Sequence, residues 1–137
     1  MYPAEIVAPM TRDLTSAGFE TLATPQEVME VLENQEGTAL LVVNSVCGCA
    51  AAMARPGVKM ALKNDKIPQQ LYTVFAGVDQ EATAKAREYL LPYPPSSPAI
   101  ALFKNGKLVH FIERHHIEGR SAAMIAENLK AAFDEYC

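Results

Sequence analysis

A chain of 137 residues has room for one core and little for two. Half of it is apolar and a fifth is charged, a balance that excludes a disordered tail. Sixteen acids against twelve Lys and Arg give a net charge of -4, a poor match for a polyanion, so no nucleic-acid partner is expected. No apolar run approaches the roughly 20 residues needed to cross a bilayer, and the opening Met-Tyr-Pro-Ala-Glu lacks a basic signal head. Together these predict a soluble cytoplasmic protein with no membrane partner.

The first 23 residues carry the weakest pattern. Ile6, Val7, Met10 and Leu14 have helical spacing interrupted by Pro9, and Gly18 ends the segment. Thr24, Pro25 and Glu27 read as an N-cap, a first-turn proline and a capping-box acid. They open an amphipathic helix over 25–34. The continuous run Thr38–Asn44 predicts a buried central strand. Ser45, Val46 and Cys47-Gly48-Cys49 follow at its C-terminal end. An Ala/Met-rich helix is expected over 50–62, kinked or broken at Pro56-Gly57. Leu71–Ala76 reads as a second buried strand. Asp79–Leu90 reads as a helix with acids early and bases late. Pro92, Pro94, Pro95 and Pro98 make a stiff connection. Ala99–Phe103 and Lys107–Ile112 form a hairpin about Asn105-Gly106. Gly119–Tyr136 is the closing helix. This order predicts a three-layer α/β fold, a mixed central sheet with helices on both faces. Sites in such sheets collect at the C-terminal strand ends, where the cysteine motif falls.

Three cysteines exclude a fully disulfide-stapled scaffold, because one thiol must remain free, modified or paired outside the chain. In a reducing compartment a close pair is more often reactive or metal-binding than structural. Cys47 and Cys49 sit between a strand and a helix N-terminus, where free N–H groups and the helix dipole favour a thiolate. Cys47, first out of the strand, is the expected attacker and Cys49 the resolving thiol. One intervening residue is expected to strain a bridge between them and make the couple oxidising. Gly48 eases the steric demand. Arg55, Lys59 and Lys63 lie too far along the helix for a tight ion pair, but with no acid until Asp65 their field is expected to be unopposed. A closed zinc site would need Cys137 and His110, His115 or His116 to converge on the pair, so no metal is assigned.

Ser97-Pro98 before a strand is a candidate cis peptide that would expose backbone for substrate pairing. Arg114, His115, His116 and Glu118 read as a solvated loop, although a histidine near a thiol could move a proton. Cys137 reads as a bystander at a frayed helix end.

The ordered set of motifs resembles the bacilliredoxins, thioredoxin-like proteins with a Cys-Gly-Cys site. The likeness runs through Asn44-Ser-Val-Cys-Gly-Cys-Ala-Ala51, Ala54-Arg-Pro56, Val74-Phe-Ala-Gly77 and Glu81-Ala-Thr-Ala-Lys85. It continues through Pro95-Ser-Ser-Pro98, Val109-His-Phe-Ile112, Ile117-Glu-Gly119, Ala132-Phe-Asp134 and Cys137. Pro9-Met10 and Ala17-Gly-Phe19 extend it into the N-terminus. The chain departs from the familiar pattern at Ala52, often glycine, at His116, commonly acidic, and at Arg120, commonly histidine. The resemblance implies a single thioredoxin-like domain over 1–137 with an N-terminal helical extension. It also implies a cis-proline loop at Pro98, with Gly48, Ser97 and Pro98 positioning substrate. The implied activity is removal of bacillithiol from S-thiolated client proteins. Cys47 would take the adduct, Cys49 would resolve it, and a weak disulfide isomerase activity would accompany this. The exchanging small thiol would then be bacillithiol, with glutathione or coenzyme A as substitutes, and no organic cofactor is needed. A soft-metal or redox-sensing module using Cys47 and Cys49 without turnover is the alternative from another class. A non-catalytic interaction domain is a third.

Overall fold

The computed structural model describes residues 2–137. In chain order it contains α1 (Ala4–Thr15), β1 (Glu20–Thr21), α2 (Pro25–Glu33), β2 (Thr38–Asn44) and a π-helical stretch (Ala50–Ala54). Then follow α3 (Arg55–Ala61), β3 (Gln70–Phe75), α4 (Gln80–Glu88), β4 (Ala99–Lys104), β5 (Lys107–Ile112), α5 (Arg114–Ile117) and α6 (Ala122–Tyr136). The five strands make one sheet in the order β1-β3-β2-β4-β5. β1, β3 and β2 run parallel, and β4 and β5 are antiparallel. This is the mixed sheet expected.

Every residue of β2 is buried, because alternate side chains face opposite sides of the sheet and both sides are covered. Leu40 and Val42 join Leu14 of α1, Val58 of α3, and Ile125, Leu129 and Phe133 of α6. Leu41 and Val43 join Val28 and Leu32 of α2 and Ala82 and Ala86 of α4. Two apolar layers therefore hold β2 at the centre, and its C-terminal end is fixed from both faces. At the opposite end the hairpin turns through Asn105 at φ 51° and Gly106 at φ 81°, the paired positive φ values of a type I′ turn.

Several local expectations are corrected. Pro9 lies inside α1 without ending it. Both Pro9 and Glu5 are exposed, so the carbonyl left unpaired by the missing N–H faces water. β1 is too short to show any periodicity and went unrecognised. The break expected at Pro56-Gly57 is absent. The irregularity lies a turn earlier, where the π stretch widens the helix and Pro56 falls in the first turn of α3, a position that needs no N–H. The last helix begins at Ala122, not Gly119. Ser121 is its N-cap, accepting from the Met124 N–H, and Gly119 at φ 77° lies outside helical space. Residues 114–117, expected as solvated loop, form a short helix because Ile117 is fully buried beneath it.

Candidate active site

β2 ends in Asn44 and Ser45, both buried. The Asn44 side chain accepts the Ser45 N–H at 2.8 Å, and the Ser45 hydroxyl accepts the Cys47 N–H at 3.2 Å. These bonds turn the chain out of the strand. Helical backbone begins at Gly48, and the Cys47 carbonyl accepts from the N–H groups of Ala50 and Ala51 at 3.1 and 3.2 Å. Cys47 therefore occupies the N-cap, where the helix dipole stabilises a thiolate. It is disulfide-bonded to Cys49. The Cα atoms are 5.4 Å apart, inside the ordinary range for disulfides. The unrelaxed separation expected of a one-residue spacing is not seen. Cys49 packs against the core on the α3/α6 side. Gly48 is exposed, and a Cβ built on it would meet nothing within 4 Å, so the pair is uncovered from that side.

Arg55 lies beneath this turn, only 4% exposed. Its Nη1 donates to the Asn44 side-chain oxygen and to the Ser45 carbonyl, both at 2.9 Å. Asn44 in turn donates to the Met10 carbonyl of α1 at 3.2 Å. Asp13 of α1 stands 3.3 Å from Arg55 Nε and 2.7 Å from Lys59 Nζ. The Nε contact is an ion pair without hydrogen-bond alignment. Burial pulls the Arg55 guanidinium below its usual range, and the Asp13 charge opposes that pull. The field of Arg55 and Lys59 is thus not unopposed. An acid from a helix about forty residues upstream answers it.

The antiparallel register sets Val43 of β2 against Ala99 of β4, which brings Pro98 to the Asn44 end of β2. Pro98 is buried, and the Ser97–Pro98 peptide is cis. Leu91–Pro92 is also cis. Arg114 clasps the loop before β4: its N–H donates to the Ser96 hydroxyl at 3.4 Å and its Nη1 to the Ser97 carbonyl at 3.2 Å. The carbonyl half of the expected pairing edge is therefore engaged by Arg114. The geometry assembles a helix-capping thiol, its bridge partner and a proline loop at one sheet end, a layout suited to disulfide exchange.

The profile of the family described as Disulphide isomerase matches residues 2–137. A bacilliredoxin of Cytophaga hutchinsonii is 63% identical over 135 residues, covering 98% of this chain and 99% of that protein. One from Halalkalibacterium halodurans is 54% identical, covering 99% of this chain and 94% of that one. The chain belongs to the bacilliredoxin family. Among solved structures, Fasciola hepatica thioredoxin superposes with a TM-score of 0.59 at 17% identity, covering 87% of this chain and all of that one. Oxidised mitochondrial thioredoxin 3 of Saccharomyces cerevisiae gives 0.57 at 18% identity, covering 90% and 98%. The bacilliredoxin fold is therefore thioredoxin-like, and family and fold together identify a thiol–disulfide oxidoreductase.

Cys137 does not join this bacilliredoxin site. It lies beside Thr38, the first residue of β2, while Cys47 follows the last. At about 3.3 Å per strand residue the two ends lie roughly 20 Å apart. Partial burial holds the Cys137 thiol above its ordinary range, against the neighbouring Thr38 and the nearby charges of Lys104 and Lys66. A pocket of about 250 Å³ opens between β5, α5 and α6, lined by His110, His116, Arg120, Met124 and Asn128 among others. Its walls come from separate elements, so no local motif marks it. Asp13 and Arg114 were likewise unmarked as supports. The one available signal was Asn44-Ser45, two polar residues closing an otherwise apolar buried strand.

Proposed function

We propose that the protein removes bacillithiol from S-thiolated client proteins. The observation that carries this reading is the Cys47–Cys49 bridge at a helix N-cap, within a chain whose relatives are bacilliredoxins. The Cys47 thiolate attacks the bacillithiol sulfur of the client's mixed disulfide. The client thiolate leaves and takes up a proton, and Cys47 carries the adduct. The Cys49 thiolate then attacks Cys47 Sγ, bacillithiol departs as a thiol, and the Cys47–Cys49 disulfide remains. Two electrons from external thiols restore the dithiol. No organic cofactor enters, and the cycle suits a reducing compartment such as the cytoplasm. Gly48 leaves the pair uncovered, while Ser97 and Pro98 form the wall along which the client backbone lies. The same Cys47 attack on a non-native client disulfide gives weak isomerase activity, in keeping with the family description.

The test is incubation with a bacillithiolated client, followed by intact mass. The wild type clears the client. Cys49→Ser accumulates a single adduct on Cys47, and Cys47→Ser leaves the client modified. A client left thiolated by the wild type, or cleared equally by Cys47→Ser, overturns the assignment. Glutathionylated and coenzyme A-modified clients run in parallel identify the preferred small thiol.

A further inference from the structure

Glu113, His115 and His116 sit at the start of α5, outside the thiol pair, and offer one carboxylate and two imidazoles. One ligand atom from each lies within 4.8 Å of the others. Glu113 Oε2 is 3.8 Å from His115 Nε2, and the two imidazole centroids are 4.0 Å apart. We propose that these three residues bind a divalent transition-metal ion of borderline softness, with zinc as the probe.

The carboxylate is the fixed member. Its side chain is 11% exposed, and its backbone carbonyl accepts the His116 N–H at 2.9 Å where α5 begins. Among the described residues no Lys or Arg is paired with it. Among those residues its one ion-pair partner is His115, which carries charge only when protonated. The adjacent Arg114 is directed elsewhere, to Glu118 at 2.7 Å and to the Ser97 carbonyl. A near-buried carboxylate beside two imidazoles is completed by a cation, because a buried charge is costly without a partner.

The donor set chooses the ion. Magnesium and calcium require shells built from oxygen, whereas imidazole suits zinc, copper and nickel. Zinc stands about 2.0–2.2 Å from nitrogen and oxygen donors, so neighbouring donors in a tetrahedral site are roughly 3.4 Å apart. Reaching that spacing takes a closure of about an ångström, which two exposed imidazoles supply by rotation while Glu113 stays in place. His116 Nδ1 now accepts the Glu113 N–H at 3.2 Å. Loading at that nitrogen gives up this hydrogen bond, a cost that the metal bond has to exceed. With three protein donors, a fourth position stays open for water or a ligand group.

This site uses neither cysteine of the exchange pair, and that separates it from metal capture by free thiolates. The experiment therefore uses the full chain in its Cys47–Cys49 disulfide form, with Cys137→Ser removing the remaining thiol. Zinc is titrated calorimetrically and against a chromophoric chelator. One ion per chain is expected, with an affinity at least tenfold weaker in His115→Ala and in His116→Ala and unchanged in His110→Ala. His115 is 68% exposed, so its replacement leaves the fold intact and keeps the result readable if Glu113→Gln disturbs α5. X-ray absorption of the loaded protein is expected to show nitrogen and oxygen donors near 2.0–2.1 Å and no sulfur. Absence of stoichiometric binding, or binding indifferent to both histidine replacements, overturns the proposal. Because the readout is binding to oxidised protein, it stands or falls apart from the client-clearing assay.

Discussion

Arg55 carries a charge under the turn that presents Cys47, and its two Nη1 bonds reach the side chain of Asn44 and the carbonyl of Ser45. Neither acceptor has easy access to water, since both residues are buried. Arg55→Met should therefore cost about 2–4 kcal/mol of stability, read from urea unfolding. Loss of the positive charge should also raise the Cys47 thiolate pKa in the reduced protein, read from thiolate absorbance against pH. Arg55→Lys should restore much of the pKa and little of the stability, because the lysine stem is one bond shorter and its ammonium stops short of the position from which Nη1 reaches both acceptors. An unchanged thiol titration in Arg55→Met would limit this residue to a packing role. That Arg55 follows the cysteines on a helix is plain in the chain. Its depth is not, because burial of an arginine depends on Asp13 and Asn44 arriving from elsewhere.

α3 and α6 meet at Gly57. A Cβ there would stand 2.8 Å from Ile125 Cγ2 and 3.1 Å from the Ala122 carbonyl, so one methyl forces the two helices apart. Gly57→Ala should destabilise by about 1–3 kcal/mol, seen as a lower urea midpoint, with Ile125→Ala in the same chain recovering part of the loss. A Gly57→Ala midpoint equal to the wild type would show that the helices yield at no cost. In sequence this glycine, next to Pro56, reads as a helix breaker, and the opposite holds: it is the contact that lets a continuous helix pack closely. The four longer strands suffered no such misreading. Thr38–Asn44 and the Asn105-Gly106 hairpin announce themselves through unbroken apolar runs and a turn pair with a fixed backbone requirement. β1 and α5 were invisible because a two-residue strand and a single helical turn have no period to detect. Both owe their form to neighbours, β1 to pairing with β3 and α5 to burial of Ile117.

Across the whole molecule the three cysteines divide by sheet end. Cys47 and Cys49 lie beyond Asn44, and Cys137 lies beside Thr38. Cys137→Ser should thus leave client clearance and the thiol titration of Cys47 unchanged, whereas a rate loss of tenfold or more would show that the terminal thiol reaches the exchange pathway, in the same chain or in another copy. The reacting pair and the Ser97–Pro98 loop could be found in the sequence because each is a contiguous motif. Their supports could not, since Asp13 and Arg114 act across long stretches of chain and become neighbours only when the sheet forms. The contact from α1 has a further consequence. Met10 and Asp13 reach Asn44 and Arg55 directly, so undocking the N-terminal helix should alter the turn that presents Cys47. Cys47 reactivity toward a small alkylating reagent should accordingly serve, in the reduced protein, as a local gauge of whether that helix is seated, without any label placed on it.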